Sequence, residues 1–347
     1  MSNATFTAAL NQLLDGDNLQ ADTTAAVMRQ IMGGEATPAQ IAGFLIALRM
    51  KGETVTEITA AARVMREFAA PMGFSDSLQA QLIDTCGTGG DGSSFFNVST
   101  ASAIACAAAG AKVAKHGNRS VSSKSGSADV LMSAGVNVDL APEQVKRCVE
   151  EIGLGFLFAP TFHPAMKHAV GPRKELGVRT VFNLLGPLTN PAGARRQVMG
   201  VFASQWVEPI AQVLGNLGCE HVLVVHSEDG LDEVSLSAAT QVAEWKDGEL
   251  HSYKVQAQDF GLSRCDRKEL QVSDAEDSLQ LIRWAFAGER GPVADMIALN
   301  GGAALYVSGV VADWASGVSR IQEVLDSGAA AEKLSELASL SQSLASS

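Results

Sequence analysis

The sequence predicts an α/β protein: a small N-terminal helical domain, then a large α/β domain with a mainly parallel central sheet. Three observations predict it. The first seventy or so residues carry only helical periodicity; from Leu82 short apolar or β-branched runs alternate with helical stretches; and glycine- and hydroxyl-rich segments sit where strands give way to helices.

In the N-terminal part, Thr37-Pro38 fits a helix N-cap followed by proline at the first helical position, where a missing N–H costs nothing. Ile41, Phe44, Leu45 and Leu48 recur at helical spacing before Gly52 ends the run. A second helix is expected over 56–68, with Ile58, Ala62 and Met65 on one stripe. Striped helices need a surface to bury against, and a small bundle or a subunit interface supplies one.

Strand candidates follow at 82–85, 112–114, 155–158, 197–202 and 221–225, with helical candidates at 100–109, 128–134 and 207–217 among them. Such alternation implies βα units and a mainly parallel sheet covered on both faces. Residues 242–245 and 250–255 flank Lys246-Asp247-Gly248, which signals a hairpin. After Ala294 the texture is helical and alanine-rich, tapering into a Ser-rich end where fraying is expected.

Composition narrows the function. Hydrophobic residues make up 46% of the 347 and charged residues 18%, enough apolar surface for a sizeable core. No apolar run approaches the roughly 20 residues needed to cross a bilayer. The first residues lack the basic and apolar regions of a signal peptide, so no membrane is expected and the cytoplasm is the expected compartment. The five cysteines, Cys86, Cys106, Cys148, Cys219 and Cys265, form no CxxC pair, which implies reduced, mostly buried thiols and no zinc site. With 26 Lys+Arg against 38 Asp+Glu the net charge is −12, the wrong sign for a nucleic-acid surface. A phosphate ligand would need a local pocket.

Four segments carry chemistry. Cys86-Gly87-Thr88-Gly89-Gly90-Asp91-Gly92 directly follows a candidate strand, and Asn97-Val98-Ser99-Thr100 opens the next helix. Strand, glycine loop and helix N-terminus in succession cradle phosphate, although four glycines equally make a tight turn with no ligand. Residues 115–127, beginning Lys115-His116-Gly117-Asn118-Arg119, hold three cations, a histidine, an asparagine and five hydroxyls in thirteen residues. That mixture suits a polyanion, or a solvated polar loop; two such loops at successive βα ends of an open sheet converge on one crevice and favour the ligand. Asp232-Glu233 lies beyond a third strand, where adjacent carboxylates hold Mg²⁺ or simply face water. Arg173 either clamps a carboxylate or serves locally, by pairing with Glu175 or capping a helix. The Gly186-Pro187 and Asn190-Pro191 steps read as scaffold.

These residues resemble the anthranilate phosphoribosyltransferase family along essentially the whole chain. The shared strings are Gly87-Thr88-Gly89-Gly90-Asp91-Gly92, Asn97-Val98-Ser99-Thr100-Ala101, Lys115-His116-Gly117-Asn118-Arg119, Ser125-Gly126-Ser127-Ala128-Asp129, Arg173-Lys174-Glu175-Leu176-Gly177 and Asp232-Glu233. The glycine loop alone also resembles pyrimidine nucleoside phosphorylases, which are not expected to carry Lys-His-Gly-Asn-Arg. The resemblance implies the fold those enzymes share, with a helical domain over 1–72, joined by a helical segment around 163–185, and a phosphoribosyl pyrophosphate-binding α/β domain over 80–347. It implies that Gly87, Gly90 and Asp91 lie around the pyrophosphate and that Asn97, Val98, Ser99 and Thr100 hold ribose and phosphate oxygens. Lys115, His116, Gly117, Asn118, Arg119, Ser120, Val121, Ser122 and Ser123, with Ser127, would form a second, mobile phosphate loop. Gly87, Asn118 and Arg173 would meet anthranilate. Two Mg²⁺ ions are implied, one on Ser99 and one on Asp232 with Glu233, as is a homodimer through the N-terminal helices. One position departs from the family: Phe95 stands where Thr or Ser is usual, so a hydroxyl contact to phosphate is missing. The rival readings are a nucleoside phosphorylase and a non-enzymatic nucleic-acid-binding relative of the same fold.

Overall fold

The computed structural model describes residues 2–90, 93–119 and 125–346. Four helices open the chain: Ser2–Leu14, Ala21–Met32, Pro38–Lys51 and Val55–Glu67. The Thr37-Pro38 start is a full capping box, with Thr37 accepting from the Gln40 N–H, and Gly52 ends the helix at φ 92°. Thr54 and Glu57 cap the fourth helix the same way. Glu57 is fully buried, yet its carboxylate is saturated: it takes Lys51 Nζ at 2.9 Å, the Leu19 N–H at 2.9 Å and the Thr54 N–H at 2.8 Å. A buried charge so surrounded fixes how the third and fourth helices meet the connection between the first two.

The sheet has seven strands: β1 (Leu82–Gly87), β2 (Lys112–Gly117), β3 (Leu154–Phe158), β4 (Arg196–Gly200), β5 (His221–Ser227), β6 (Thr240–Lys246) and β7 (Glu249–Val255). Their order is β3-β2-β1-β4-β5-β6-β7, parallel as far as β5 and antiparallel beyond. The β6–β7 hairpin turns at Asp247 (φ 53°) and Gly248 (φ 85°), as the Asp-Gly step predicts. At the start of β5, Glu244 gathers His221 Nε2, Tyr306 Oη and Tyr253 Oη at 2.8, 2.7 and 2.9 Å. Burial raises its pKa, but these three bonds outweigh that and hold it down at about 2.

Each sheet face has its own apolar core. Val198, Leu223 and Val225 face the helices Val98–Ala108 and Pro292–Ser308, while Met199, Val201, Val222 and Val224 share a core with the four N-terminal helices. Ala169, Phe182, Leu185 and Leu188 belong to that second core, so the helices Lys167–Leu176 and Val181–Leu185 pack with the N-terminal bundle. Among the described residues all five cysteines are free thiols, and no helix is long and apolar enough to cross a membrane. The expected fraying is not seen through Ala345: the last helix is Ala329–Ala345, because Leu344 is buried.

One expectation needs correction, and one departure gains a cause. Lys115, His116 and Gly117 are not loop residues but the end of β2, because their backbone pairs with β3 as far as Gly117 opposite Phe158. The missing hydroxyl at Phe95 has a packing cause: the ring is buried, bridged to Gln271 by backbone pairing and covered by the Arg267 guanidinium at 5.3 Å.

Candidate active site

The winding of the sheet reverses between β1 and β4, since β1 leads outward through β2 to β3 and β4 leads the other way to β5. In an open α/β sheet the crevice beyond the strand ends at such a reversal is where ligands bind. Here β1 and β4 both end in glycine, and Gly87 and Gly200 are register partners. Asp232 lies directly over them. A Cβ on Gly87 would fall 2.3 Å from Asp232 Oδ2, and one on Gly200 would fall 1.5 Å from the Asp232 carbonyl oxygen. The glycine loop then turns through Gly89 (φ 63°) and Gly90 (φ 72°), and the Gly89 N–H donates to Asp232 Oδ2 at 2.7 Å. Loop and acidic pair, 143 residues apart in sequence, are thus one structure.

Beneath them lies a buried amine. Lys115 Nζ reaches across from β2 to donate to the Thr85 carbonyl and, at 3.1 Å, to Ser99 Oγ. Burial pushes its pKa down, and Asp84, Cys86, Glu233 and Asp232 work against that push. Asp84, fully buried, accepts the His116 N–H at 3.0 Å and is itself pushed up by burial.

The helix Val98–Ala108 points its N-terminus at the same crevice. Asn97 caps it, accepting the Thr100 N–H at 3.0 Å, while Asn97 Nδ2 donates to the Ser125 carbonyl at 2.9 Å. Both ends of this side chain are therefore committed within the protein, tying the start of one helix to the approach of the next, Ser127–Ser133. Val98 is buried and offers only backbone, and Thr100 Oγ1 is buried without a hydrogen-bond partner among the described residues. Gly117 lacks a Cβ that would fall 3.1 Å from Ser127 Cβ, which lets β2 and that helix close together. Asn118 and Arg119 are exposed at the tip. Asp91, Ser120, Val121, Ser122 and Ser123 lie outside the described residues.

On the side toward the helical part, His116 and His163 face each other with ring centroids 5.0 Å apart. Burial drives His116 to about 3, with His163 and Lys115 adding to the effect, and drives His163 to about 4. Both are neutral near pH 7. Arg173 does not pair with Glu175; its half-buried guanidinium lies over the Phe182 ring at 5.1 Å, without a hydrogen bond to a described residue. Burial lowers its pKa. Gly186-Pro187 and Asn190 are scaffold, as expected: Asn190 Nδ2 bonds the Ala114 carbonyl at 2.8 Å and the Pro187 carbonyl takes Gln197 Nε2 at 2.8 Å.

Sequence reasoning gives no role to three residues here, although His163 and Arg179 lie in polar segments that it singles out. Arg179 donates to the Gly90 carbonyl and stacks over Phe202 at 4.5 Å, joining the glycine loop to the helical segment. Asn300 holds Val234, the residue after the acidic pair. His163 completes the histidine pair. An arginine two residues past a glycine and an asparagine in an alanine-rich helix carry no local signal; only the fold brings them to the site.

The comparisons agree with this geometry. Residues 79–331 match the family model described as "Glycosyl transferase family, a/b domain", and residues 7–69 match its "helical bundle domain". The chain is 59% identical to an anthranilate phosphoribosyltransferase of Thioalkalivibrio sulfidiphilus over 96% of this chain and 97% of that one. It is 57% identical to one of Cellvibrio japonicus, over 97% and 98%. Among solved structures, the Thermus thermophilus enzyme superposes with a TM-score of 0.90 at 44% identity, covering 96% of this chain and 99% of that one. The Saccharomyces cerevisiae enzyme, in complex with PRPP and Mg, gives 0.89 at 25% identity, covering 98% of each. Relatives this similar, matched end to end around the same helical and α/β parts, place the protein: the chain belongs to the anthranilate phosphoribosyltransferase family.

Proposed function

We propose that the chain transfers the phosphoribosyl group of 5-phosphoribosyl 1-pyrophosphate to the amine of anthranilate, releasing pyrophosphate, as a step of tryptophan synthesis. The observation that carries this is the Gly89 N–H bonded to Asp232 Oδ2 at the sheet's reversal, which puts a phosphate loop and a carboxylate pair in one cleft. Mixing the protein with anthranilate, phosphoribosyl pyrophosphate and Mg²⁺ should quench anthranilate fluorescence, and only when all three are present. No quenching by a folded sample overturns the reading, and consumption of a nucleoside with phosphate instead would make the protein a phosphorylase. The net charge of −12 favours neither that enzyme nor a nucleic-acid binder.

In this reading Gly87, Gly90 and Asp91 surround the pyrophosphate, the first-turn N–H groups at Val98 and Ser99 face phosphate or ribose oxygens, and Thr100, whose N–H is taken by Asn97, contributes its hydroxyl. Asn97 serves mainly by fixing that turn, because its side chain is already bonded at both ends. Asn118 to Ser123 with Ser127 cover the substrate, and Lys115 supplies positive charge from below rather than from the loop. Gly87, Asn118 and Arg173 meet anthranilate, whose carboxylate would find the Arg173 fork, which bonds no described residue.

Magnesium fits the donor set at one place. Among the described residues no three His, Cys, Asp or Glu side chains could cage a metal, but Mg²⁺ is commonly held by one or two carboxylates plus substrate phosphates, and Asp232 with Glu233 offers that. When bound there, it would neutralise charge on the departing pyrophosphate. A second ion on Ser99 fits only if Lys115 first withdraws, since its amine is 3.1 Å from Ser99 Oγ.

The C1–O bond to pyrophosphate breaks as the amine nitrogen bonds C1, and the nitrogen then loses one proton. An aromatic amine is uncharged at neutral pH, so no strong base is needed beforehand. His116, held near 3, is too weak a base for that task and forms a neutral wall of the acceptor pocket. Alignment and electrostatics are left to supply most of the rate.

The same reading divides the chain into a helical unit, 1–72 with the segment around 163–185, and an α/β unit, 80–347; the core shared by Phe182, Leu185 and the N-terminal helices supports it. A cytoplasmic homodimer through those helices is part of the proposal. Leu14 and Met50, 69% and 83% exposed on them, support self-association, which sedimentation would test.

A further inference from the structure

At the opposite end of the strands from the active site, where β4 and β5 begin, Gly193, Arg195, Gly218 and Cys219 face Arg66 and Gln79 across a cleft of about 400 Å³. Two guanidinium groups line it, Arg66 and Arg195, and two more belong to their neighbours Arg63 and Arg196. Arg66 Nε donates to the Leu188 carbonyl at 2.8 Å and Nη1 approaches the Leu217 carbonyl at 3.4 Å; Arg63 bonds the Asn216 carbonyl at 2.7 Å. Arg195 and Arg196 share the single carboxylate of Glu220, at 3.2 and 3.5 Å.

The charges do not balance. Arg196 is turned to the Ala80 and Val307 carbonyls, so the cleft's own cations are Arg66 and Arg195; against them stand Glu220, shared with Arg196, and the C-terminal end of the helix Val207–Asn216, equivalent to roughly half a negative charge. Arg66 has no carboxylate partner among the described residues; its side-chain neighbours are the Cys219 thiol and another arginine, Arg63. This is a concentrated positive patch in a chain of net charge −12. Donors also remain. A guanidinium carries five N–H groups; Arg66 bonds the Leu188 and Leu217 carbonyls and the Cys219 sulfur, and Arg195 bonds Glu220. The cleft is kept open by Gly193 (φ 64°), where a Cβ would fall 2.2 Å from Gln79 Nε2 and drive that amide out of place.

We propose that this cleft binds a small oxyanion of the phosphate class between Arg66 and Arg195, at a site separate from the catalytic one. Paired guanidinium forks in a partly enclosed cleft are the chemistry that holds such an anion. Because Arg66 also grips the Leu188 carbonyl, an anion there would brace the helical part against the start of the sheet. The proposal does not depend on the transferase reading.

Calorimetric titration of inorganic phosphate into the intact protein tests it. The expected result is a phosphate site that persists when the active site is saturated with phosphoribosyl pyrophosphate, and that weakens at least tenfold in Arg195→Ala and disappears in Arg195→Glu. Arg195 is exposed, so both variants should fold, which circular dichroism checks, and their turnover and KM for phosphoribosyl pyrophosphate should stay within about twofold of the parent. Phosphate binding that is fully displaced by phosphoribosyl pyrophosphate, or equally tight in Arg195→Glu, overturns the proposal. So does a loss of phosphate binding matched by an equal rise in that KM, which would place the anion in the catalytic cleft.

Discussion

The carboxamide of Asn300 grips both backbone groups of Val234: Oδ1 accepts the Val234 N–H at 2.9 Å and Nδ2 donates to the Val234 carbonyl at 2.9 Å. A third bond, to the Met296 carbonyl at 3.0 Å, fixes the amide to its own helix. Val234 follows Glu233, so Asn300 holds the backbone that carries the acidic pair. Replacing it with leucine leaves two buried backbone groups unpaired, at about 1–3 kcal/mol each. Asn300→Leu should raise the Mg²⁺ concentration for half-maximal activity about tenfold and weaken Mn²⁺ binding followed by electron paramagnetic resonance. An unchanged metal midpoint, with only melting temperature lowered, would reduce Asn300 to a structural residue.

Gly200→Ala tests the seat of Asp232 more severely. Its Cβ would overlap the Asp232 carbonyl oxygen at 1.5 Å, and backbone must move to admit it. A displacement near 1 Å at a catalytic constellation costs roughly 100-fold in rate. Activity should fall by about that factor while far-ultraviolet dichroism stays native; a variant within a few-fold of wild type would mean that Asp232 has no need of its place.

Asp232→Asn combined with Glu233→Gln removes the charge while keeping the shape. Mg²⁺-dependent turnover should vanish and the melting temperature should change little. Retained turnover would remove the pair from the site.

Much of this was readable in advance because it depends on local chemistry. Thr37-Pro38, Asp247-Gly248 and the glycine loop each force a backbone shape that only certain residues adopt, so their outcome follows from a few neighbours in sequence. The extent of β2 was not readable: Lys115-His116-Gly117 looks like polar loop, and only pairing with β3 and burial of the lysine amine beside Thr85 and Ser99 make it strand. The roles of Asn300, Arg179 and His163 were not readable for the same reason, since their partners Val234, Gly90 and His116 are distant in sequence. Phe95 was noticed as a departure, but its burial beneath Arg267 depends on the segment around Gln271, which nothing near Phe95 announces.

Arg173→Gln probes the acceptor side. The guanidinium lies on Phe182 with no hydrogen-bonding carboxylate, so a substrate carboxylate would gain a charge-assisted contact of about 1.5–3 kcal/mol. KM for anthranilate should rise roughly 10- to 100-fold with a smaller fall in kcat, and KM for phosphoribosyl pyrophosphate should hold. Equal losses for both substrates would point to a folding defect instead.

The histidine pair gives the folded chain a pH dependence of definite sign. His116 and His163 sit at about 3 and about 4 when folded, against 6.5 ordinarily. Between about pH 6.5 and 4 the unfolded chain therefore binds two protons that the native chain refuses, so stability is complete above 6.5 and falls as the solution is acidified. The limiting slope is roughly 1.4 kcal/mol per pH unit for each histidine. Glu244, held at about 2, acts in the same direction but only below about 4.5, which separates the two effects. Urea midpoints measured from pH 7.5 to 5 should drop in the wild type and stay nearly flat in His116→Gln/His163→Gln. Parallel curves for the two proteins would mean that the imidazoles take up their protons in place, and the neutral wall assigned to the acceptor pocket would have to be abandoned.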